Sequence, residues 1–230
     1  MARLEEPLIP LFPLPNVVLF PGMPLPLHVF EPRYREMVRD VEGIPTGPDF
    51  PKGGASSPEE KVIGMVLLRG DWRKDYHGNP QIFSVGCAGK MVNVEPLSDG
   101  CYNILLHGLR EFEVQSEDTT RSYRRATVRW RPPGDRTLAS DQRPKLEDLL
   151  GRLLASDPAG PQAKLLGDPG VTDETFVNFF CYALDLSPLE KQSLLEAQTL
   201  AARAARLVEV VEFALSAGPA RPDGGDFRVH

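Results

Sequence analysis

Short apolar runs alternate with proline-rich turns over the first thirty residues of the chain. Two runs, at residues 8–12 and 17–20, are short and rich in β-branched or aromatic side chains, so each predicts a strand. Pro13–Asn16 separates the two runs and Pro21-Gly22 ends the second, because proline fixes φ and donates no backbone hydrogen bond. The prolines within Pro24–Phe30 then predict an extended chain.

A helix is predicted to follow at Glu31-Pro32, since proline is well tolerated at the first helical position. The next apolar residues recur with helical spacing and predict one buried face, formed by Tyr34, Met37, Val38 and Val41. Residues 43–60 are then dense in Gly, Pro and Ser, which predicts a long, exposed and disordered loop.

The pattern from residue 62 to residue 131 predicts several short strands with turns every eight to twelve residues, as in a barrel or a sandwich. Gly86 and Gly89 predict bulges or a close backbone approach, Asp99-Gly100 predicts a hairpin, and Gly108 predicts a turn. The predicted strands are Val62–Leu68, Ile82–Val94 as one strand or two, residues 102–107, residues 111–115 and residues 125–131, with a polar turn region at Asp71–Pro80.

Beyond residue 131 the apolar period changes from two residues to 3.6, which predicts helices. Three helix starts carry capping signals: Thr172, the capping box Ser187–Glu190 with its proline, and Thr199. The fold class is therefore α+β. We predict a β-rich domain at residues 1–131, a linker at 132–140, a helical subdomain at 141–216 and a frayed tail at 217–230.

Composition narrows the class of protein further. The 230 residues are 41% apolar, enough for a core, and the net charge of −6 disfavours a dedicated nucleic-acid binder. Three scattered cysteines (Cys87, Cys101 and Cys181) form no zinc or disulfide framework and indicate a reducing cytoplasm. We find no signal peptide and no apolar run of about 18 residues, so we expect a cytoplasmic protein without a membrane span.

The sequence offers little catalytic chemistry. The nearest match to a phosphate-binding loop, Gly86–Met91, has the wrong spacing and lacks the hydroxyl that would bind magnesium. The four histidines (His28, His77, His107 and His230) have no metal-site spacing, and a strand would hold Cys101 and His107 roughly 20 Å apart. We therefore predict no catalytic residue, no metal and no cofactor.

One long segment carries a family resemblance. PLFPLPNVVLFPGMPLPLHVFEPRYREMV resembles the opening of the N-terminal domain of Lon-type ATP-dependent proteases, a domain that also occurs as small stand-alone bacterial proteins. The segments VIGMVLL, SVGCAGKMVNVEPLSDGCYNILLHGLREFEV and LDLSPLEKQSLLEAQTLAARAARLVEVVEFAL follow in the family's order, so the resemblance covers about residues 7–216. Cys101 departs from it, because many relatives carry a basic residue there.

The resemblance implies a PUA-like β pseudo-barrel with an embedded helix, followed by a C-terminal helical subdomain. It also implies a non-enzymatic module that binds protein or peptide, with client polypeptides and Lon protease itself as partners. We expect the module to function without the ATPase and peptidase modules of a Lon protease. An apolar groove could use Phe30, Tyr34 or Trp72 to capture exposed apolar segments, although the same aromatics would also suit the core.

The alternative function is RNA binding through the strand Arg121–Arg131. Its five arginines, at positions 121, 124, 125, 129 and 131, are interleaved with Tyr123 and Trp130, as on RNA-binding surfaces. The opposing interpretation is a solvated strand face whose arginines pair with the acidic residues just upstream, which are Glu111, Glu113, Glu117 and Asp118. The second interpretation is the one we favour from the sequence.

Overall fold

The structure is a computed structural model that describes residues 6–43, 61–76, 78–132, 134–155, 160 and 162–217. The chain divides into two compact units, Met1–Arg131 and Pro132–His230. The predicted disorder of the loop beyond Gly43 and of the tail beyond Ala217 falls outside the described residues.

The first unit is built on a mixed sheet. Its strands are β1 (Leu8–Leu14), β2 (Pro24–Val29), β3 (Val62–Leu67), β4 (Val85–Pro96), β5 (Tyr102–Asp118) and β6 (Arg125–Trp130). The strand order is β2-β5-β4-β3-β1-β6, and β6 also pairs with the second half of β5, so the sheet curls back on itself as an irregular pseudo-barrel. The β1–β3 pair is parallel and the other pairs are antiparallel.

Apolar side chains from facing strands form the core of the pseudo-barrel. Phe112 of β5 is completely buried and packs with Ile9, Leu11, Val66 and Val128. These residues occupy alternate positions on their strands, as expected for side chains that share one face of a sheet.

The embedded helix α1 (Pro32–Glu42) begins with proline in the first turn and ends at Gly43, whose φ of 70° is in the left-handed region that favours glycine. Its predicted apolar face is buried, which confirms the helix and its orientation; the buried residues are Tyr34, Met37, Val38 and Val41. The α+β class with an irregular β pseudo-barrel and an embedded helix is confirmed.

Two local predictions were wrong. Val17–Phe20 is not a strand: its last three residues are buried but lie outside the ladder, and the chain turns at Gly22, whose N–H donates to the Gly108 carbonyl at 2.9 Å. Gly108 does not turn the chain but lies inside the 17-residue strand β5. A Cβ atom at Gly108 would overlap the Phe20 carbonyl, with the carbonyl carbon only 2.9 Å away, so glycine is required by close approach.

The remaining strand predictions are largely confirmed. Ile82 forms an isolated bridge with Leu68, and β4 begins only at Val85, so the predicted segment consists of two pieces. The hairpin at Gly100 is present, with φ of 80°. Within the predicted polar turn region the chain forms one short 3₁₀ helix, Trp72–Asp75.

The second unit is helical. It contains α2 (Gln142–Leu153), a short 3₁₀ helix (Ala163–Leu165), α3 (Asp173–Ala183), α4 (Pro188–Leu195) and α5 (Leu200–Ala217). All three predicted caps are confirmed: Thr172 accepts from the Thr175 N–H, Ser187 forms its capping box with Glu190, and Thr199 accepts from the N–H of Ala202.

Polar side chains connect the helices of this unit. Arg143 of α2 bonds Glu147 and Asp173 at 2.9 and 3.0 Å, and its guanidinium lies over the ring of Phe176. Buried Arg203 of α5 bonds Asn178 of α3 and the backbone at the end of α4. Within the described part of the chain, no helix is both long and apolar enough to span a membrane.

Candidate functional site

The three aromatic residues singled out from the sequence have different environments. Phe30 is 61% exposed, whereas Tyr34 is only 3% exposed and packs against Phe12 with ring centroids 4.3 Å apart. Trp72 is half-buried on the 3₁₀ helix and contacts the ring of Tyr76 at 5.8 Å. Of the three, Phe30 is the one available for contact with a large partner.

Tyr34 and Trp72 belong to an internal aromatic stack. The guanidinium of Arg33 lies 4.6 Å from the Tyr34 ring centroid and 5.3 Å from that of Tyr76. Glu31 holds this arrangement from its edge, since it accepts hydrogen bonds from Arg33 at 3.1 Å and from the Tyr76 hydroxyl at 2.6 Å. The stack ties the 3₁₀ helix to the start of α1, which indicates a structural role.

Phe30 instead lies at the border of an exposed surface that we call the three-strand face. The face consists of the outward side chains of the adjacent strands β2, β5 and β4. The register of the strand pairs aligns these side chains in rows across the sheet. The first row is Pro24, His107 and Lys90; the second is Pro26, Leu105 and Asn93 with its neighbour Val92; the third is His28, Asn103 and Glu95. Intervening residues of the same strands, Leu25, Ile104 and Leu106 among them, are buried.

Two β-bulges add apolar side chains to this surface. Between Met91 and Asn93 the register leaves Val92 without a partner on β5, and Val92 is 52% exposed. A second bulge leaves Leu109 of β5 unpartnered opposite β4, and Leu109 is also exposed. Bulges commonly re-aim side chains near functional sites. The sequence analysis missed both residues, because an apolar residue within a strand normally predicts burial.

The free edge of β2 is modified by its prolines. Among the described strands, β2 pairs with β5 alone. Pro24 and Pro26 face His107 and Leu105, and neither proline can exchange N–H···O bonds in these pairs. In each proline, the side on which an N–H group would lie therefore faces the open edge. An added strand would find no backbone donor at these two residues, which weakens the edge as a site for strand addition.

A chain of polar groups crosses the third row of the face. The Asn103 amide donates from Nδ2 to Glu95 at 3.3 Å, and its Oδ1 lies 2.9 Å from His28 Nδ1. The opposite amide orientation would place two acceptors, Asn103 Oδ1 and the carboxylate, against each other. Hence His28 Nδ1 carries the hydrogen, and Nε2 is an acceptor whenever the imidazole is neutral. The Phe30 ring stacks near His28 with centroids 6.1 Å apart.

The arginine-rich strand is paired with acidic residues, as the second interpretation predicted. Arg124 bonds Glu117 at 2.6 Å and Arg125 bonds Asp118 at 2.9 Å. Glu113 pairs with Arg129 and lies 3.9 Å from Arg131, and Asp40 of α1 lies 3.6 Å from Arg121. Glu113, Glu117 and Asp118 are thus confirmed as partners. Charges neutralised in this way leave little positive potential for a phosphate backbone, which disfavours the RNA alternative.

Catalytic and metal chemistry have no visible centre in the described residues, where no group of three or more potential metal ligands occurs. All three cysteines are buried and free. Burial raises the pKa of the Cys181 thiol to about 12, which makes that thiol a poor nucleophile.

Comparison with known proteins places this fold in a family. The pseudo-barrel with its embedded helix and exposed sheet face defines an α+β domain whose accessible surface suits binding. The ATP-dependent protease La (LON) substrate-binding domain matches residues 8–212, and the chain belongs to this family.

Curated relatives are longer proteins. The chain is 23% identical over 201 residues to the Lon protease of Flavobacterium johnsoniae, covering 85% of this chain and 23% of that protein. It is 27% identical over 211 residues to Lon protease 2 of Sorangium cellulosum, covering 88% and 24% respectively. The chain therefore spans about a quarter of the length of these relatives.

Solved structures show the same fold over almost their whole length. The Lon N-terminal domain protein from Xanthomonas campestris aligns with a TM-score of 0.60 at 24% identity, covering 88% of this chain and 98% of that one. The N-terminal domain of Mycobacterium avium complex Lon protease aligns with a TM-score of 0.67 at 15% identity, covering 90% and 98%.

Proposed function

We propose that this chain binds extended or unfolded polypeptide through the three-strand face and Phe30, as a recognition module. The observation that carries the proposal is the exposure of Phe30 at the border of a face whose second row has apolar side chains from three neighbouring strands. Exposed apolar surface of this kind marks interaction sites, and aromatic residues supply much of the binding energy at interfaces. The description of the family as a substrate-binding domain supports the same role.

Contact through side chains suits an unspecific client better than strand addition does. Pro26, Leu105 and Val92 form an apolar row across the three strands, and the prolines of β2 remove backbone donors from the free edge. A client would therefore be held by its apolar side chains, with modest affinity and rapid release. Unfolded segments fit this chemistry, because they expose the apolar residues that folded proteins bury.

We assign binding rather than a reaction to this chain. The matched family is named for the substrate-binding part of a protease, so we propose no peptide-bond cleavage by the chain itself. The partners that follow from this role are client polypeptides and, by the same resemblance, Lon protease. We propose that the module delivers clients to that protease or competes with it for them.

Binding of a permanently unfolded protein tests the proposal. We would measure fluorescence anisotropy with labelled, reduced and carboxymethylated lactalbumin for the wild type and for Phe30→Ala. The matched control is Leu189→Ala, because Leu189 is 64% exposed but lies in the helical unit. Loss of one exposed aromatic side chain at an interface costs about 1–2 kcal/mol, so we expect Phe30→Ala to weaken binding roughly five- to thirty-fold.

The control should bind like the wild type. Equal binding by all three proteins would exclude Phe30 from the site, and absence of binding by the wild type would refute the proposed function. Binding that instead favours single-stranded RNA and disappears with added salt would return the arginine strand to consideration.

A further inference from the structure

The three-strand face has a different polar character at each of its two ends. Its rows run across β2, β5 and β4, with Asn103 in the third row and His107 in the first. These two positions are four residues apart on β5, which corresponds to about 13 Å along the strand. An extended polypeptide lying along β5 would therefore meet the third row and the first row with side chains about four residues apart.

The first-row end is basic. Lys90 is half-exposed, lies opposite His107 in the register and forms no ion pair with a described residue. Beyond the bulge at Leu109, Arg110 is exposed, and its guanidinium lies 3.9 Å from the ring centroid of Trp130. Trp130 neutralises no charge, so Lys90 and Arg110 both leave a positive charge at this end.

The third-row end carries a carboxylate, that of Glu95. Glu95 is exposed, and the hydrogen bond that it accepts from the Asn103 amide occupies a single carboxylate oxygen. The same amide accepts from His28 Nδ1 at 2.9 Å, so Nε2 is a second acceptor beside the carboxylate whenever the imidazole is neutral. A lysine or arginine side chain satisfies a carboxylate and an imidazole acceptor together.

Between the two ends lies the apolar second row, with Pro26, Leu105 and Val92. We infer that the face selects an extended segment with a basic residue over Glu95 and His28, apolar residues across the middle, and an acidic residue over Lys90. This inference rests on the proposed function and deepens it: the client is recognised by its charge order as well as by its apolarity.

Four capped pentapeptides test this charge order. Each has the same apolar centre, Leu-Phe-Val, and the ends are Lys and Glu, Lys and Lys, Glu and Glu, or Gln and Gln. Titrations followed by ¹⁵N–¹H NMR spectra detect even millimolar affinity. Two exposed ion pairs add up to about a fivefold difference, so we expect the Lys–Glu peptide to bind about fivefold tighter than the Gln–Gln peptide, less so in high salt.

A charge swap at Lys90 gives the sharper test. In Lys90→Glu the first row itself becomes acidic, while Arg110 lies farther along β5 opposite Ala88, so the Lys–Lys peptide should become the preferred ligand. Lys90→Gln is the control, and it should only reduce the preference for a glutamate end.

The outcomes separate the inference from the proposed function. If lactalbumin binds through Phe30 but the four peptides bind alike, fail to bind or keep their order in Lys90→Glu, the charge-order inference is overturned while the polypeptide-binding function stands. If neither lactalbumin nor any peptide binds, both are overturned. A reversed preference in the swapped variant supports both.

Discussion

His28 donates from Nδ1 to Asn103 Oδ1 at 2.9 Å, and Glu95 fixes the orientation of that amide from its other side. A carboxylate on one strand thereby determines the tautomer of an imidazole two strands away. The consequence for binding is an acceptor, Nε2 of His28, that is already oriented on the exposed face before any ligand arrives.

Long-range ¹H–¹⁵N NMR spectra of the imidazole should show this tautomer directly. At a pH where the ring is neutral, we expect His28 to carry its hydrogen predominantly on Nδ1. Asn103→Leu removes the acceptor and should shift the ring toward the Nε2-protonated form that predominates in free imidazole side chains. His107 is exposed on the same face and serves as the internal reference, because the substitution should leave its spectrum almost unchanged. An Nε2-protonated His28 in the wild type would contradict the assignment.

Gly108 should tolerate no side chain. In Gly108→Ala the new methyl group would overlap the Phe20 carbonyl, so the backbone of β5 must shift. Overpacking of this kind typically costs about 1–3 kcal/mol. The measurement is urea unfolding followed by tryptophan fluorescence, since Trp72 and Trp130 both lie in the first unit.

The same substitution at Gly151 is the matched control. Gly151 lies within α2, and the nearest atom to a Cβ there is 4.0 Å away. Alanine is a better helix former than glycine by about 0.5–1 kcal/mol, so Gly151→Ala should stabilise the helical unit, as read by circular dichroism. Equal stability of wild type and Gly108→Ala would show that the close approach to Phe20 is not rigid.

Valine at position 26 should open the edge of β2. Pro26→Val restores a backbone N–H on the side facing away from β5 and adds a residue that favours strands. We expect concentration-dependent self-association, measured by sedimentation velocity. Leu105→Val is the control, because Leu105 faces Pro26 across the pair but its substitution adds no donor to the edge. A monomeric Pro26→Val protein at high concentration would mean that another feature protects this edge.

Tyr34 should contribute to a loss of stability in alkali. Burial raises the pKa of its hydroxyl well above 10, the usual value, so the folded protein keeps a proton that the unfolded chain releases. The protonated tyrosine therefore contributes its full stabilisation below pH 10. Above pH 10 the free energy of unfolding falls by about 1.4 kcal/mol per pH unit for each such tyrosine. Tyr34→Phe should flatten this fall between pH 10 and 11 in urea unfolding followed by tryptophan fluorescence.

Two comparisons show how much of the pH dependence belongs to Tyr34. The stability of Tyr34→Phe should still fall somewhat with rising pH, because burial also raises the pKa of Tyr76 and Tyr123. Tyr182 lies in the helical unit, so Tyr182→Phe should leave the fluorescence-detected transition unchanged. An identical pH dependence in wild type and Tyr34→Phe would show that the hydroxyl becomes hydrated in the native state.

The parts of the fold that depend on local sequence could be predicted. Pro32, Thr172 and Ser187 start helices through interactions within one turn, so their signals are legible without the tertiary structure. Val17–Phe20 could not be placed, because an apolar run becomes a strand only if a partner strand is available. Gly108 was wrongly predicted as a turn for a related reason. Glycine is required there because the Phe20 carbonyl, nearly ninety positions away in the sequence, leaves no space for a side chain.

The site was predictable only in part. Phe30 was identified as a candidate, but exposure could not be assigned from sequence, and Tyr34 proved to be buried. Val92 and Leu109 depend on register shifts between two strands, which no local pattern encodes. The pairing of the arginine strand was predictable, because the acidic partners precede it on the adjacent strand of the same hairpin.

The two prolines on β2 bear on a hazard that comes with holding unfolded chains. A surface that concentrates such chains could seed their aggregation, since an open strand edge is a template on which extended segments stack as amyloid-like sheet. With Pro24 and Pro26 on that edge, captured chains meet side chains but no continuous ladder of backbone donors. Under the proposed function, a client can therefore accumulate on this surface and leave it again without being converted into a fibre.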